Sequence, residues 1–166
     1  MLKWTNALLL AAIVSTVHPS HGWAEAPPPP ATIDDDGMRA WLKAYIKTDG
    51  WTLITADDVA VTLGGPDGVA VMEDGTLSVQ IRHEYYGPTR LGPMGTRSNL
   101  QSWNIDCERQ RMRVLSITMF QDNNLSGASQ SAGRNDVEWT SFDPDSARGR
   151  TVKRVCEAPK TGKRME

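Results

Sequence analysis

The run Leu77-Ser78-Val79-Gln80-Ile81-Arg82-His83-Glu84-Tyr85 alternates along its whole length. Leu77, Val79 and Ile81 fall on one side, Ser78, Gln80 and Arg82 on the other, as in a β-strand with one packed and one wet face. Working outward, Glu73-Asp74-Gly75 precedes it, and Asp-Gly is a hairpin signal that joins it to residues 69–72. Residues 51–55 and 59–63 are short β-rich runs further upstream, with Gly64-Gly65-Pro66-Asp67-Gly68 as a turn. Downstream, residues 87–95 are a Pro/Gly-rich loop. Residues 100–107 and 112–120 are two more strands joined by the polar turn Glu108-Arg109-Gln110, and residues 122–136 are a long polar loop. Consecutive hairpins of this kind predict a single antiparallel sheet of about six strands.

Residues 37–50 carry the other clear period. Met38, Trp41, Leu42, Tyr45 and Ile46 lie on one face of a helix, Asp34, Asp35 and Asp36 sit where a helix start favours acids and caps, and Gly50 supplies a stop. The expectation is therefore an α+β fold with an N-terminal amphipathic helix. At the other end, Asp143-Pro144-Asp145-Ser146 opens a helix well and Val152, Val155 and Cys156 keep helical spacing. Residues 151–156 also fit a short strand, and Gly149 weakens a helix by about 1 kcal/mol; the spacing favours the helix.

The rest divides by composition. Residues 1–24 combine one cation, Lys3, with the apolar run 7–17 and the small residues Gly22 and Ala24, which predicts a signal peptide cleaved after Ala24. Residues 25–36 begin with a proline run that makes a stiff linker, residues 51–157 form the sheet domain, and residues 158–166 a basic tail. Export places Cys107 and Cys156 in an oxidising compartment, where two cysteines most simply form one disulfide; two buried thiols are the other reading.

Of 166 residues, 18 are Lys or Arg and 20 Asp or Glu, a net charge of −2 that becomes −3 once the leader removes Lys3. That balance offers no basic face for phosphates and excludes nucleic acid as the expected partner. The leader also takes His18 and His21, leaving His83 alone and in phase with Ile81, as a structural histidine would be. Asp122-Asn123-Asn124-Leu125-Ser126-Gly127 opens like a calcium loop, but its twelfth position is Gly133 where a bidentate Glu is required. No spacing unites Asp106, Glu108, Glu138 or Asp143 into a hydrolytic pair, and no cofactor, metal or membrane span is expected. Tyr85, Tyr86 and Arg90, at a strand end and into the following loop, are the expected exposed contacts for a partner, since Tyr and Arg are favoured at hot spots.

Four pieces resemble the surface-adhesin protein E family over about residues 74–157. They are the strand 77–85, Arg97-Ser98 with Trp103-Asn104-Ile105-Asp106-Cys107, Arg111-Met112-Arg113-Val114-Leu115-Ser116, and the run from Trp139-Thr140-Ser141-Phe142-Asp143-Pro144-Asp145-Ser146 to Cys156. The resemblance implies a C-terminal helix over residues 146–156, held on the concave side of the sheet by a Cys107–Cys156 disulfide. It also implies a non-enzymatic envelope protein, in the namesake a dimeric adhesin for vitronectin, laminin and plasminogen. The leader lacks the lipid-anchoring cysteine of the namesake, so periplasmic or secreted residence is expected ahead of the cell surface. The first expectation is thus an exported binding module presenting a sheet face or loop to a host matrix or envelope protein. The second is an envelope-maintenance or inhibitory protein docking through the 37–50 helix, and the third a small hydrolase using His83 or an acid pair.

Overall fold

A computed structural model describes residues 26–90, 95–133 and 137–161; the expected leader and most of the basic tail lie outside them. The first element, α1 (Asp35–Tyr45), is capped by Asp34, whose carboxylate accepts from Gly37 N at 2.8 Å. It is shorter than the expected 37–50. Ile46 is already extended and turns into the apolar cluster beneath the helix, while Gly50, with φ of 75°, shapes the next turn, closed by Trp51 N donating to Thr48 O at 2.7 Å. The proline run is not a free spacer either, because the Pro28 carbonyl accepts from Trp41 Nε1 at 2.6 Å.

The strands β1 (Thr52–Ala56), β2 (Ala60–Val71), β3 (Leu77–Thr89), β4 (Thr96–Asp106), β5 (Arg111–Asp122) and β6 (Ser126–Gly133) lie side by side in chain order, each antiparallel to the next. Two short pieces are added: β7 (Thr140–Ser141) beside the start of β5 and, after the helix α2 (Ala147–Glu157), β8 (Lys160–Thr161), parallel to β2. The runs 59–63 and 69–72 are one strand, not two. Gly64 pairs with Ile81 and Val69 with Val79, so the Gly/Pro stretch is a bulge in β2. A Cβ on Gly65 would lie 2.9 Å from Gln80 Cβ, which explains a glycine there. The expected loop at 122–136 is largely strand as well: a tight turn with Asn124 and Leu125 at positive φ returns the chain as β6.

Successive residues of β3 point to opposite faces, and each face receives a helix. Leu77, Val79 and Ile81 join Val69, Trp103, Ile105 and Met112 under Val152 and Val155 of α2. Tyr86, with Val61 and Leu63 on the same side of the sheet, joins Met38, Trp41 and Ile46 of the α1 segment. In α2, Ser146 caps Gly149 N at 3.0 Å. Gly149 itself is buried, and a Cβ there would overlap the Asp143 carbonyl oxygen. The residue that weakens the helix by propensity is the one that lets it close onto its own entry turn.

Cys107, one residue past β4, is bonded to Cys156 in α2, 49 residues on. In the chain-entropy account a loop of that length stabilises the fold by about 4 kcal/mol. Urea unfolding of the Cys107→Ser/Cys156→Ser protein should therefore show a loss of about 3–4 kcal/mol relative to the oxidised protein. Equal stabilities would show that α2 is held by packing alone.

Candidate functional site

The two tyrosines expected as exposed contacts are inside. Tyr85 is 9% and Tyr86 5% exposed, because β3 runs on past them to Thr89 and they point to opposite faces, both covered there. Tyr86 meets the Trp41 indole edge-on, with ring centroids 4.9 Å apart. Burial pushes its phenol up to about 12, with Asp57 and Asp58 adding to the effect. Tyr85 OH accepts from Asn99 Nδ2 at 2.8 Å. Only Arg90 of the three remains exposed.

His83 belongs to a polar ladder on the α2 face of the sheet. Asn99 turns its Nδ2 to Tyr85, so its Oδ1 faces Gln101 Nε2 at 3.0 Å and His83 Nδ1 at 2.9 Å. Gln101 Oε1 in turn accepts from Trp103 Nε1 at 2.8 Å. An acceptor opposite Nδ1 makes that nitrogen the protonated one, so the ring has its place as a neutral donor. Burial holds its pKa below the ordinary 6.5, Arg148 assisting and Asn99 and Asp57 opposing. Among the described residues no nucleophile is bonded to it. Of the four acids, Asp106 is held by Arg109 at 3.1 Å and Arg111 at 3.0 Å, and Asp143 accepts from the Asp145 N–H at 3.0 Å. No cluster that could hold a metal occurs among the described residues.

The strongest electrostatic feature was not visible in the chain. Arg82, read as an outward residue, is 3% exposed, and Glu84 is fully buried beside it. The Glu84 carboxylate accepts from Arg82 Nε at 2.7 Å, Asn123 Nδ2 at 2.9 Å and Asn124 N at 3.0 Å. Burial still raises its pKa above the ordinary 4.5, against the pull of those donors. The clue in the sequence is positional: Arg82, Glu84 and Tyr86 share one side of β3, so a cover over Tyr86 covers all three.

Past Val114 of β5 the sheet leaves both apolar cores. Leu115, Ile117, Met119 and Phe120 belong to neither apolar core and are half-buried. Every residue of β6 is exposed, and its sequence, Ser-Gly-Ala-Ser-Gln-Ser-Ala-Gly, carries no charge. β6 closes the strand order, so no strand among the described residues pairs with its outer edge. Near its far end Trp139 takes the Arg111 and Arg113 guanidinium groups at 4.9 and 4.6 Å from its ring centre. The result is an uncovered apron of sheet with apolar side chains on both faces and a free edge, of the kind that takes up another polypeptide.

The family model of surface-adhesin protein E matches residues 51–157, which span β1 to β7 and α2. The chain belongs to the surface-adhesin protein E family. Haemophilus influenzae protein E in its crystal form II has the same fold, with a TM-score of 0.53 at 11% identity, over 81% of this chain and 97% of that one. A second structure of Haemophilus influenzae protein E aligns at a TM-score of 0.49 and 10% identity, over 78% of this chain and 89% of that one. No curated protein matches the sequence. The sheet, the C-terminal helix and the Cys107–Cys156 bridge are as the resemblance implies, and the N-terminal helix is as the apolar period predicts.

His83 makes a pH prediction of definite sign. A histidine whose folded pKa is depressed gives stability that is present above about 6.5 and lost as pH falls through the folded value. Glu84, with a raised pKa, acts in the opposite sense. Urea unfolding across this window should therefore fall more steeply toward acid in the native protein than in His83→Gln, and parallel profiles would contradict a buried neutral ring.

Proposed function

We propose that this protein is exported and works without catalysis, as a protein-binding module of the bacterial envelope that presents its open β5–β6 apron to a polypeptide partner. One observation carries the reading: the apolar cores under α1 and α2 extend across the sheet as far as Met112 and Val114 of β5, whereas from Leu115 on β5 joins neither core and every residue of β6 is exposed. Membership of a surface-adhesin family supports an exported protein with a protein partner, and a disulfide agrees with an oxidising compartment. No helix among the described residues is long and apolar enough to cross a membrane. The alternative, docking through α1, is disfavoured because Met38 and Trp41, the apolar anchors it would need, are spent against the sheet.

Purified protein lacking residues 1–24 should bind an immobilised extracellular-matrix protein saturably at physiological salt. Gln130→Lys/Ala132→Lys, which charges the exposed β6 beside Met119 and Ile117, should weaken that binding by about tenfold or more, with an unchanged melting temperature. Binding no stronger than that of an unrelated periplasmic protein, or binding indifferent to the two lysines, would overturn the proposal.

A further inference from the structure

The opposite edge of the sheet is built differently. A cleft of about 620 Å³ is lined by Leu53, Ile54, Thr55 and Ala56 in succession, by Met38 and Arg39 of α1, and by Arg150, Lys153 and Arg154 of α2. β1 is irregular between Leu53 and Thr55, with Ile54 and Thr55 toward α2 and Leu53 and Ala56 toward α1, so a cavity lined by all four faces the strand's edge. β1 ends the strand order on this side, and its outward backbone groups lie on the floor of the cleft. The walls are the two helices, which sit on opposite faces of the sheet and overhang its edge.

The charge in this cleft runs against that of the chain. Four cations face two acids, Asp35 and Glu157, whereas the whole sequence carries a net charge of −2. Arg39, Lys153 and Arg154 are exposed and form no ion pair among the described residues, and Arg150 donates only to the Asp145 carbonyl oxygen, at 2.6 Å. Arg150, Lys153 and Arg154 fall on one helical face, so most of the positive charge lies on the α2 side. Leu53, half-buried, gives the α1 side an apolar lining.

From these features we infer that the β1 edge is a second binding site, which takes an extended acidic segment of a partner polypeptide as an added strand. Backbone groups of the guest pair with the outer edge of β1. Its acidic side chains, at alternate positions, reach Arg150, Lys153 and Arg154, and the apolar ones between them lie on the half-buried Leu53. The site is separate from the β5–β6 apron and stands or falls independently of it.

The probe is a fluorescein-labelled peptide of alternating glutamate and valine, titrated by anisotropy, with amide shifts recorded on isotope-labelled protein. Saturable binding is expected, with shifts concentrated at residues 52–56 and an affinity that falls with salt. Lys153→Glu/Arg154→Glu, exposed substitutions that should leave the melting temperature unchanged, should weaken it by about tenfold or more. Methylating alternate backbone nitrogens of the peptide should weaken it comparably, because an added strand needs its donors. Any of four results overturns the inference: no saturable binding, equal binding of a lysine–valine peptide, equal binding of the methylated peptide (contact by charge alone), or shifts at residues 52–56 that follow protein concentration without peptide, which would assign the edge to a second copy of this chain.

Discussion

Glu84 is a carboxylate with no access to water, and the second face of the sheet is organised around keeping it satisfied. Arg82 neutralises it, and the side chain of Asn123 and backbone of Asn124 supply further donors. Removing one partner of such a buried pair costs about 3–5 kcal/mol, because the other is left charged and dry. The same residues reach outward. Asn124 Oδ1 accepts from Lys47 N at 2.7 Å and from Arg82 Nη2 at 3.2 Å, its Nδ2 donates to Tyr45 O at 2.9 Å, and Arg82 Nη1 donates to Lys47 O at 2.9 Å. One buried charge pair thereby ties the end of α1, the middle of β3 and the β5–β6 turn together.

That tie explains how so polar a strand as β6 holds its place. It has little apolar surface to bury, and its residues are all exposed. Its position follows from a turn clamped at Asn123 and Asn124 and from pairing along β5, including a Thr118–Ser131 hydroxyl contact at 2.9 Å. The sheet is stiff where two helices and a disulfide hold it and open where only one hairpin does. An envelope protein built this way can offer fresh sheet surface to a partner without unfolding its core, and that division of labour is the physical basis of the proposed function.

Much of this was legible in the residues. Strict alternation marked β3, the acid-capped period marked α1, and the order of Cys, Trp and Arg motifs marked the family and its bridge. Three features escaped for identifiable reasons. The bulge in β2 reads as a turn because Gly64, Gly65, Pro66 and Gly68 are turn formers, and only pairing with β3 on both sides of them shows one strand. β6 reads as loop because Ser, Gly and Ala have weak strand preference and its place is set by partners distant in sequence. Tyr85 and Tyr86 read as exposed because Gly87 and Pro88 read as the start of a loop, whereas β3 runs on to Thr89, and alternation does not show that a helix from residues 35–45 covers the face of Tyr86. The burial of Arg82 and Glu84 escaped for that same reason.

The central claim is that the covered half of the sheet is scaffold and the uncovered half meets the partner. Amide hydrogen exchange of the protein, free and bound to a matrix protein that it captures, tests this directly. The account predicts slow exchange in β3 and β4 in both states, and fast exchange in residues 126–133 that becomes slow on binding. Protection that appears on binding only in α1 or α2, with residues 126–133 unchanged, would contradict it.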